Sequence, residues 1–446
     1  MKKTIALFIA LCVLLPACAL GEKYEALPPL QRMTQALTHT RLGGGLYMDA
    51  AALVTAHEGV NAEMAALMTD MAERGQAALP SRPDNPQEGS GLMVGSTVYR
   101  TGEKWMSFLT VANVIDARRQ IHVDFDARAY DMETGARLSL ADVIADEAGW
   151  QQLSEEARAQ LSAYYPGEEA DPERLAALCS REMLADAGFT LSVAFLQLHF
   201  RADALYPDKQ TLMHVRVPYA ALAGHLTAAA AVQTDNSGYK LVALTYDDGP
   251  VRLRTQALLS NLRAGGAGAT FFIVGSRIVI GRDLLCYAQD TGFSLASHTY
   301  DHRYKWQNSG IVVSSRDRLN AELSAVTGTK ARIMRAPGGD ERVFIEEQVG
   351  MPLIHWSLVS HSDGGLVPNP HGEARRLAAI CQDGDIVLLH DLYGGTEEMA
   401  AFLPQLLAER GFLCVTVEEL FAARGIPLEP DTVYYHAREE KETGDR

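Results

Sequence analysis

The sequence is poor in cysteine, short of positive charge and, past its first residues, without a long apolar run. Six cysteines occur in 446 residues. Cys12 and Cys18 fall near the start; Cys179, Cys286, Cys381 and Cys414 are far apart, with no CxxC or zinc-finger spacing, so no disulfide framework is implied. Cys414, inside FLCVTV, reads as a buried thiol. Lysine and arginine number 40 against 56 aspartates and glutamates, a formal net charge of −16, which argues against nucleic acid and anionic lipid surfaces as partners. Beyond residue 19 no stretch is long and apolar enough to span a bilayer.

The beginning is the exception. MKK is a basic start, TIALFIALCVLLP is apolar and ACAL supplies small residues, the pattern of an export signal over residues 1–19 rather than of a membrane span. LPAC at 15–18 resembles a bacterial lipobox, which would leave Cys18 as a lipidated N-terminus; ordinary cleavage after Ala19 is the alternative. Either reading puts the chain outside the cytoplasm, as a membrane-anchored lipoprotein or as a secreted, wall-associated protein. Any membrane contact would run through a lipid on Cys18.

Residues 20–89 read as a linker with a helical segment, ending in a Pro/Gly/Ser-rich stretch at 80–98. WMSFLTVANVI and IHVDFDARAYDMETGARLSL predict a meander of strands with a turn at 133–135. Helices are expected at 148–164 and 171–186, and further strands in 189–200 and 211–222, giving an α+β domain over 90–230. From 238 to 425 the pattern changes. Apolar runs at 241–246, 269–274, 293–297, 331–334, 352–358, 385–390 and 412–417 alternate with helical segments at 251–264, 281–290, 315–326, 341–349, 372–382 and 396–410. That alternation predicts an α/β fold, either an incomplete (β/α) barrel of about seven strands or a doubly wound open sheet. Residues 426–446 read as a charged tail.

In either architecture ligands gather at the carboxyl ends of the strands. Asp247 and Asp248 follow the first run, His298 and His302 the third and Arg335 the fourth; Asp363 lies beyond the fifth, and His390 closes the sixth. Adjacent aspartates on an extended chain point to opposite sides, so Asp247 and Asp248 can divide the labour, one as metal ligand and one as base. His298 and His302, four apart, are expected on one side of a helical turn. Among 13 histidines, roughly 0.4 pairs at that spacing arise by chance, so the spacing alone is noise and the context carries the argument. Alone, His390 would be a strand-end histidine and Arg335 a surface arginine.

At these residues the chain resembles the polysaccharide deacetylase family, the NodB-homology carbohydrate esterases, over about 238–425. TYDDGP at 245–250, HTYDH at 298–302, RAPGG at 335–339 and LLHD at 388–391 look like the family's first, second, third and fifth motifs, in order. The resemblance implies that Asp248, His298 and His302 bind one divalent ion. Zinc suits the two histidines and an aspartate, with Co2+, Mn2+ or Ni2+ as alternatives. It implies Asp247 as the base, Arg335 holding that base, and Gly338 (backbone N–H) and Leu388 at the oxyanion and substrate. His390 would protonate the leaving amine, with Asp363 orienting it.

Two departures stand out. The family's tyrosine is Gly338 here, and in the fourth motif, WSLVSHSDGG, Val359 replaces an aspartate while Asp363 sits one place late. His361 or another carboxylate is therefore an alternative partner for His390. His355, His361 and His371 have no matched role, and Trp356 reads as core or groove wall. Residues 90–228 resemble the extracytoplasmic domain preceding the deacetylase in Gram-positive wall enzymes, through YDMETGARLSLADVI and HVRVPYAAL. The implied activity is removal of acetyl from N-acetylglucosamine or N-acetylmuramic acid of peptidoglycan. The alternatives are a chitooligosaccharide deacetylase, an acetyl xylan esterase, and a glycan-binding protein that has lost activity.

Overall fold

The computed structural model describes residues 34–42, 46–78, 91–115, 121–236, 238–303, 310–361 and 365–438. The expected leader, its Cys18 and the end of the tail lie outside these residues. Among the described residues no helix is long and apolar enough to cross a membrane.

The N-terminal half is antiparallel. Strands β1 (Thr34–Leu42) and β2 (Leu46–Val54) pair where only a linker and a helix were expected, and the helix follows at Glu58–Ala78. That helix lays Val60, Met64, Leu67 and Met71, spaced three and four apart, on Leu92, Val94 and Phe108 of the next sheet. The sheet is the expected meander: β3 (Gly91–Thr101), β4 (Trp105–Ile115), β5 (Ile121–Asp131) and β6 (Arg137–Leu138). Its last turn carries Gly135 at φ 73°, the conformation glycine tolerates best. A second sheet joins β7 (Gly188–Leu191), β8 (Phe195–Arg201) and β9 (Leu212–Pro218). The helix Glu147–Ser162 packs Trp150, Leu153, Ala157 and Leu161 into the same core as these strands. The helix expected over 171–186 is two, Pro172–Leu178 and Arg181–Ala185, because Ser180 interrupts it as an N-cap for the second.

The C-terminal half is a distorted (β/α) barrel. Parallel strands β10 (Lys240–Asp247), β11 (Thr270–Ile273) and β12 (Ser294–Ser297) pair in sequence. Met334 continues the ring through bridges to Ser297 and Leu353, so the fourth predicted strand is reduced to a bridge. Then come β13 (Leu353–Ile354) and β14 (Leu358–Val359), and β15 (Asp385–His390) pairs with both β14 and β10. Strand β16 (Phe412–Val415) pairs with the first half of β10. The tail begins later than expected: β17 (Val433–Tyr434) pairs with β13, His436 bridges to Asp385, and Ala437 is buried. Cys414 is only half-buried, and Cys179, Cys286, Cys381 and Cys414 are all free.

The halves interlock at the end of the helix Arg282–Asp290. Asp290 accepts from Asn113 Nδ2 and from the Leu212 amide, both at 2.8 Å, and Thr97 donates to the Thr291 carbonyl at 2.7 Å. A histidine relay crosses the same seam. His214 Nε2 lies 3.0 Å from the Gln289 carbonyl, which only accepts, so this nitrogen carries the proton. His214 Nδ1 then accepts from His199 Nδ1 at 2.8 Å, and His199 Nε2 accepts from the Thr190 hydroxyl at 2.9 Å. At Gly95 in β3, an added Cβ would lie 2.2 Å from Arg263 Cζ, so only glycine lets that arginine seat against the sheet.

Candidate active site at the barrel mouth

Period-two alternation builds most of the site. Leu241 and Ala243 of β10 point into the barrel with Phe272, Ala296, Ile333, Ile354 and Ile386, whereas Val242, Leu244 and Tyr246 pack outward on the helices. Two residues further along the same inward rows stand Thr245 and then Asp247, His298, Arg335, and Leu388 and then His390. The barrel core therefore aims these side chains, and the strand ends lift them to the mouth.

Asp248 and His302 reach the site differently from expectation. The chain is not extended at Asp248; it is left-handed there, φ 73°, which turns the second carboxylate back toward the first instead of away. His298 Nε2 consequently lies 3.7 Å from both Asp247 Oδ2 and Asp248 Oδ1. The HTYDH segment is a loop and not a helical turn, with Thr299 at φ 65° and His302 at φ 52°. Its hydrogen bonds are tertiary: the His298 amide donates to Ile273, the Tyr300 amide to Ser315 Oγ at 2.7 Å, and the His302 amide to Thr299 Oγ1 at 3.1 Å.

Asp248, His298 and His302 offer three ligand atoms within 4.8 Å of one another. His302 Nε2 sits 2.9 Å from Asp248 Oδ1. Ligand atoms about 2.0–2.2 Å from a tetrahedral ion stand at such separations, so the donor set fits a divalent metal. His298 Nδ1 lies 3.0 Å from the Arg335 carbonyl, which fixes the proton there and leaves Nε2 as a lone-pair donor. Burial raises the Asp248 carboxyl, but the His302 hydrogen bond and the nearby imidazoles outweigh it and hold it below its ordinary range. Burial likewise depresses His298, against the pull of the two aspartates, so the imidazole is neutral, the form that ligates metals.

Arg335 has no solvent exposure and anchors the other carboxylate. Its Nη1 donates to Asp247 Oδ1 at 2.7 Å and to Thr245 Oγ1 at 2.9 Å, Nε donates to the Ile354 carbonyl and Nη2 to that of His355, both at 2.9 Å. The Phe272 ring lies beneath it, 4.1 Å from Cζ. Burial lowers the guanidinium pKa and Asp247 opposes that loss. A buried, bidirectionally held pair of this kind keeps Asp247 in one orientation.

His390 stands beside Asp247 through the β10–β15 register. Leu388 is buried one layer below it on the same inward row. Gly338 is left-handed, φ 68°, a conformation in which an L side chain is strained. Asp363 lies outside the described residues. His361 is turned to Glu373, 2.9 Å away, and is mostly exposed.

A sequence profile described as polysaccharide deacetylase matches residues 234–350. A peptidoglycan-N-acetylglucosamine deacetylase of Bacillus cereus is 32% identical over 190 residues, spanning 41% of this chain and 88% of that protein. The chain belongs to the polysaccharide deacetylase family. The peptidoglycan-N-acetylglucosamine deacetylase PgdA of Listeria monocytogenes is 28% identical over 190 residues, but the match spans only 40% of that protein's length and 42% of this one. A family 4 acetyl xylan esterase of Clostridium thermocellum, solved with a cobalt ion, aligns at 26% identity and TM-score 0.41 over 44% of this chain and 98% of that one.

One residue of this family member's mouth carried no expectation of its own. Asp391, last in LLHD, is buried beneath the first motif: its amide donates to the Asp247 carbonyl at 2.9 Å and its Oδ2 accepts from Thr255 at 2.6 Å. A Cβ at position 249 would stand 2.1 Å from that oxygen, so Gly249 is required. Burial pushes the Asp391 carboxyl up to about 7. The available signal is an acidic residue directly after the histidine that closes the strand DIVLLH.

Proposed function

We propose that this protein is a metal-dependent deacetylase that hydrolyses N-acetyl groups of cell-wall amino sugars, releasing acetate. The observation that carries the reading is the joint placement of a three-donor metal site and a second, arginine-held carboxylate within 3.7 Å of the same histidine nitrogen. Asp248, His298 and His302 would hold a divalent ion, which would supply an acidified water and positive charge at the amide carbonyl. Asp247 takes the proton of the attacking water, and Arg335 holds it oriented. The Gly338 N–H donates to the oxygen that gains negative charge, and Leu388 forms the apolar floor for the acetyl methyl. His390 delivers a proton to the nitrogen as the C–N bond breaks, with Asp363 as its orienting partner. The products are acetate and a free amino sugar.

Peptidoglycan is the favoured substrate because the relatives in Bacillus cereus and Listeria monocytogenes bear that name and an export signal is read at 1–19. Residues 238–438 form the catalytic unit in this reading, and 90–230 an accessory domain facing the wall. The test is acetate release by protein lacking residues 1–19, on peptidoglycan, chitooligosaccharide and acetylated xylan, with and without chelation and zinc restoration. Chelator-sensitive release from peptidoglycan, lost about 10²- to 10⁴-fold in Asp247→Ala, is expected. Release from xylan alone makes it an esterase, and silence on all three leaves a glycan-binding protein.

A further inference from the structure

Beside the third motif an aromatic series runs from the buried arginine to the surface. Trp356 lies 5.7 Å from Arg335 Cζ, His355 stacks on Trp356 with ring centres 3.8 Å apart at 20°, and Tyr435 leans on His355 at 4.5 Å. Exposure rises along it, from none at the Arg335 side chain to 17% at His355 and 50% at Tyr435. The series borders the Gly338–Gly339 turn: a Cβ at Gly339 would stand 2.9 Å from His355 Nε2 and from Trp356. Glu341, largely buried, lies 3.4 Å from His355 Nε2. Tyr435 is delivered by the segment after the last helix, through the β13–β17 pair and the His355 amide bond to the Tyr434 carbonyl.

We infer that Tyr435, backed by His355 and Trp356, forms a stacking wall for a pyranose ring flanking the reacting sugar, standing in for the aromatic side chain that position 338 lacks. This rests on the deacetylase reading of the site. A sugar ring has an apolar face of C–H groups, which suits a half-exposed aromatic plane such as that of Tyr435. Gly338 cannot supply such a plane, because the left-handed backbone there strains any side chain. The C-terminal segment supplies it instead, from a strand that pairs within the barrel wall. Tyr435 is thus a specificity-determining residue and does not touch the reacting atoms.

The experiment compares Tyr435→Ala and Tyr435→Phe with wild type, as zinc-loaded full-length mature protein, on tetra-N-acetylchitotetraose and on glyceryl triacetate, which has no sugar ring. Tyr435→Ala is expected to raise KM for the tetrasaccharide about tenfold with kcat within twofold, about 1.4 kcal/mol of binding, and Tyr435→Phe to restore it. An unchanged tetrasaccharide KM, or an equal loss on triacetate, overturns the wall. Should wild type turn over neither substrate, the deacetylase reading falls by itself. Calorimetric titration with the tetrasaccharide then decides the wall: tenfold weaker binding to Tyr435→Ala supports it, and equal or absent binding to both proteins overturns it.

Discussion

Two pairs of histidines in this molecule have nearly the same spacing and opposite chemistry. The rings of His298 and His302 are 4.8 Å apart at the barrel mouth, and those of His199 and His214 are 5.0 Å apart in the seam between the two halves. At the mouth two carboxylates approach from one side and both Nε2 atoms converge on them. In the seam the four ring nitrogens are spent on each other, a hydroxyl and a carbonyl, and burial drives His199 far down and His214 to about 3, with Arg216 adding its repulsion. Imidazole pairs therefore become a cation site only where anionic donors face them; without them the same groups make a neutral structural bond.

The largest expected contrast is in metal binding. His298→Ala should weaken Zn2+ affinity by at least about 100-fold in calorimetric titration, whereas His214→Ala should leave it within twofold. Equal losses would erase the distinction between the pairs.

Next in size is the buried charge at the mouth. Arg335→Leu strands Asp247 without its partner and should cost about 3–5 kcal/mol in urea unfolding. Adding Asp247→Leu should recover at least half, because the remaining cost was the uncompensated charge. Failure to recover would show that packing on Phe272, rather than the ion pair, holds this part of the barrel.

The seam gives a smaller effect with a pH signature. His214→Leu leaves the buried His199 N–H unpaired and removes one of the hydrogen bonds to the Gln289 carbonyl, and should cost about 1–3 kcal/mol at pH 7.5. The sign against pH follows from proton counts. Burial pushes His214 down to about 3 in the fold against about 6.5 unfolded, so the unfolded chain holds the extra proton between those values and stability falls as pH drops below about 6.5. The leucine variant should lose up to one proton of that dependence, about 1.4 kcal/mol per pH unit.

Asp290 acts in the opposite sense and provides the finest test. Burial pushes its carboxyl up to about 7, so between about pH 4 and 7 the folded state holds a proton that the unfolded chain has released, and stability falls as pH rises through that window. In Asp290→Asn, stability measured by denaturation should lose less between pH 5 and 7.5 than in wild type. A steeper loss in the variant would refute the assignment.

Much of the barrel could be read in advance, and for a local reason. Apolar runs such as LVALTY and DIVLLH, separated by amphipathic helices, place Asp247, Arg335 and His390 at strand ends before any coordinates exist. Weaker runs misled: ARIM forms a single bridge at Met334, and residues after 426 add a strand that composition disguised as tail. The N-terminal strands β1 and β2 were missed because their pairing depends on each other and not on a marked alternation.

The site was legible as residue types but not as backbone. TYDDGP and HTYDH name four side chains, Asp247, Asp248, His298 and His302, while the backbone that unites them is left-handed where extended chain and a helical turn are expected. The α/β order, the inward rows of side chains and the residue types at their ends were set by the sequence alone, because alternation has a period of two and acts within a few residues. Only the tertiary structure decided that Asp248, Thr299 and His302 adopt left-handed backbone, that Arg335 is wholly buried, and that His199 meets His214. Those facts depend on contacts between segments tens of residues apart, whose cost in strain and desolvation is met by packing that no local window of sequence contains.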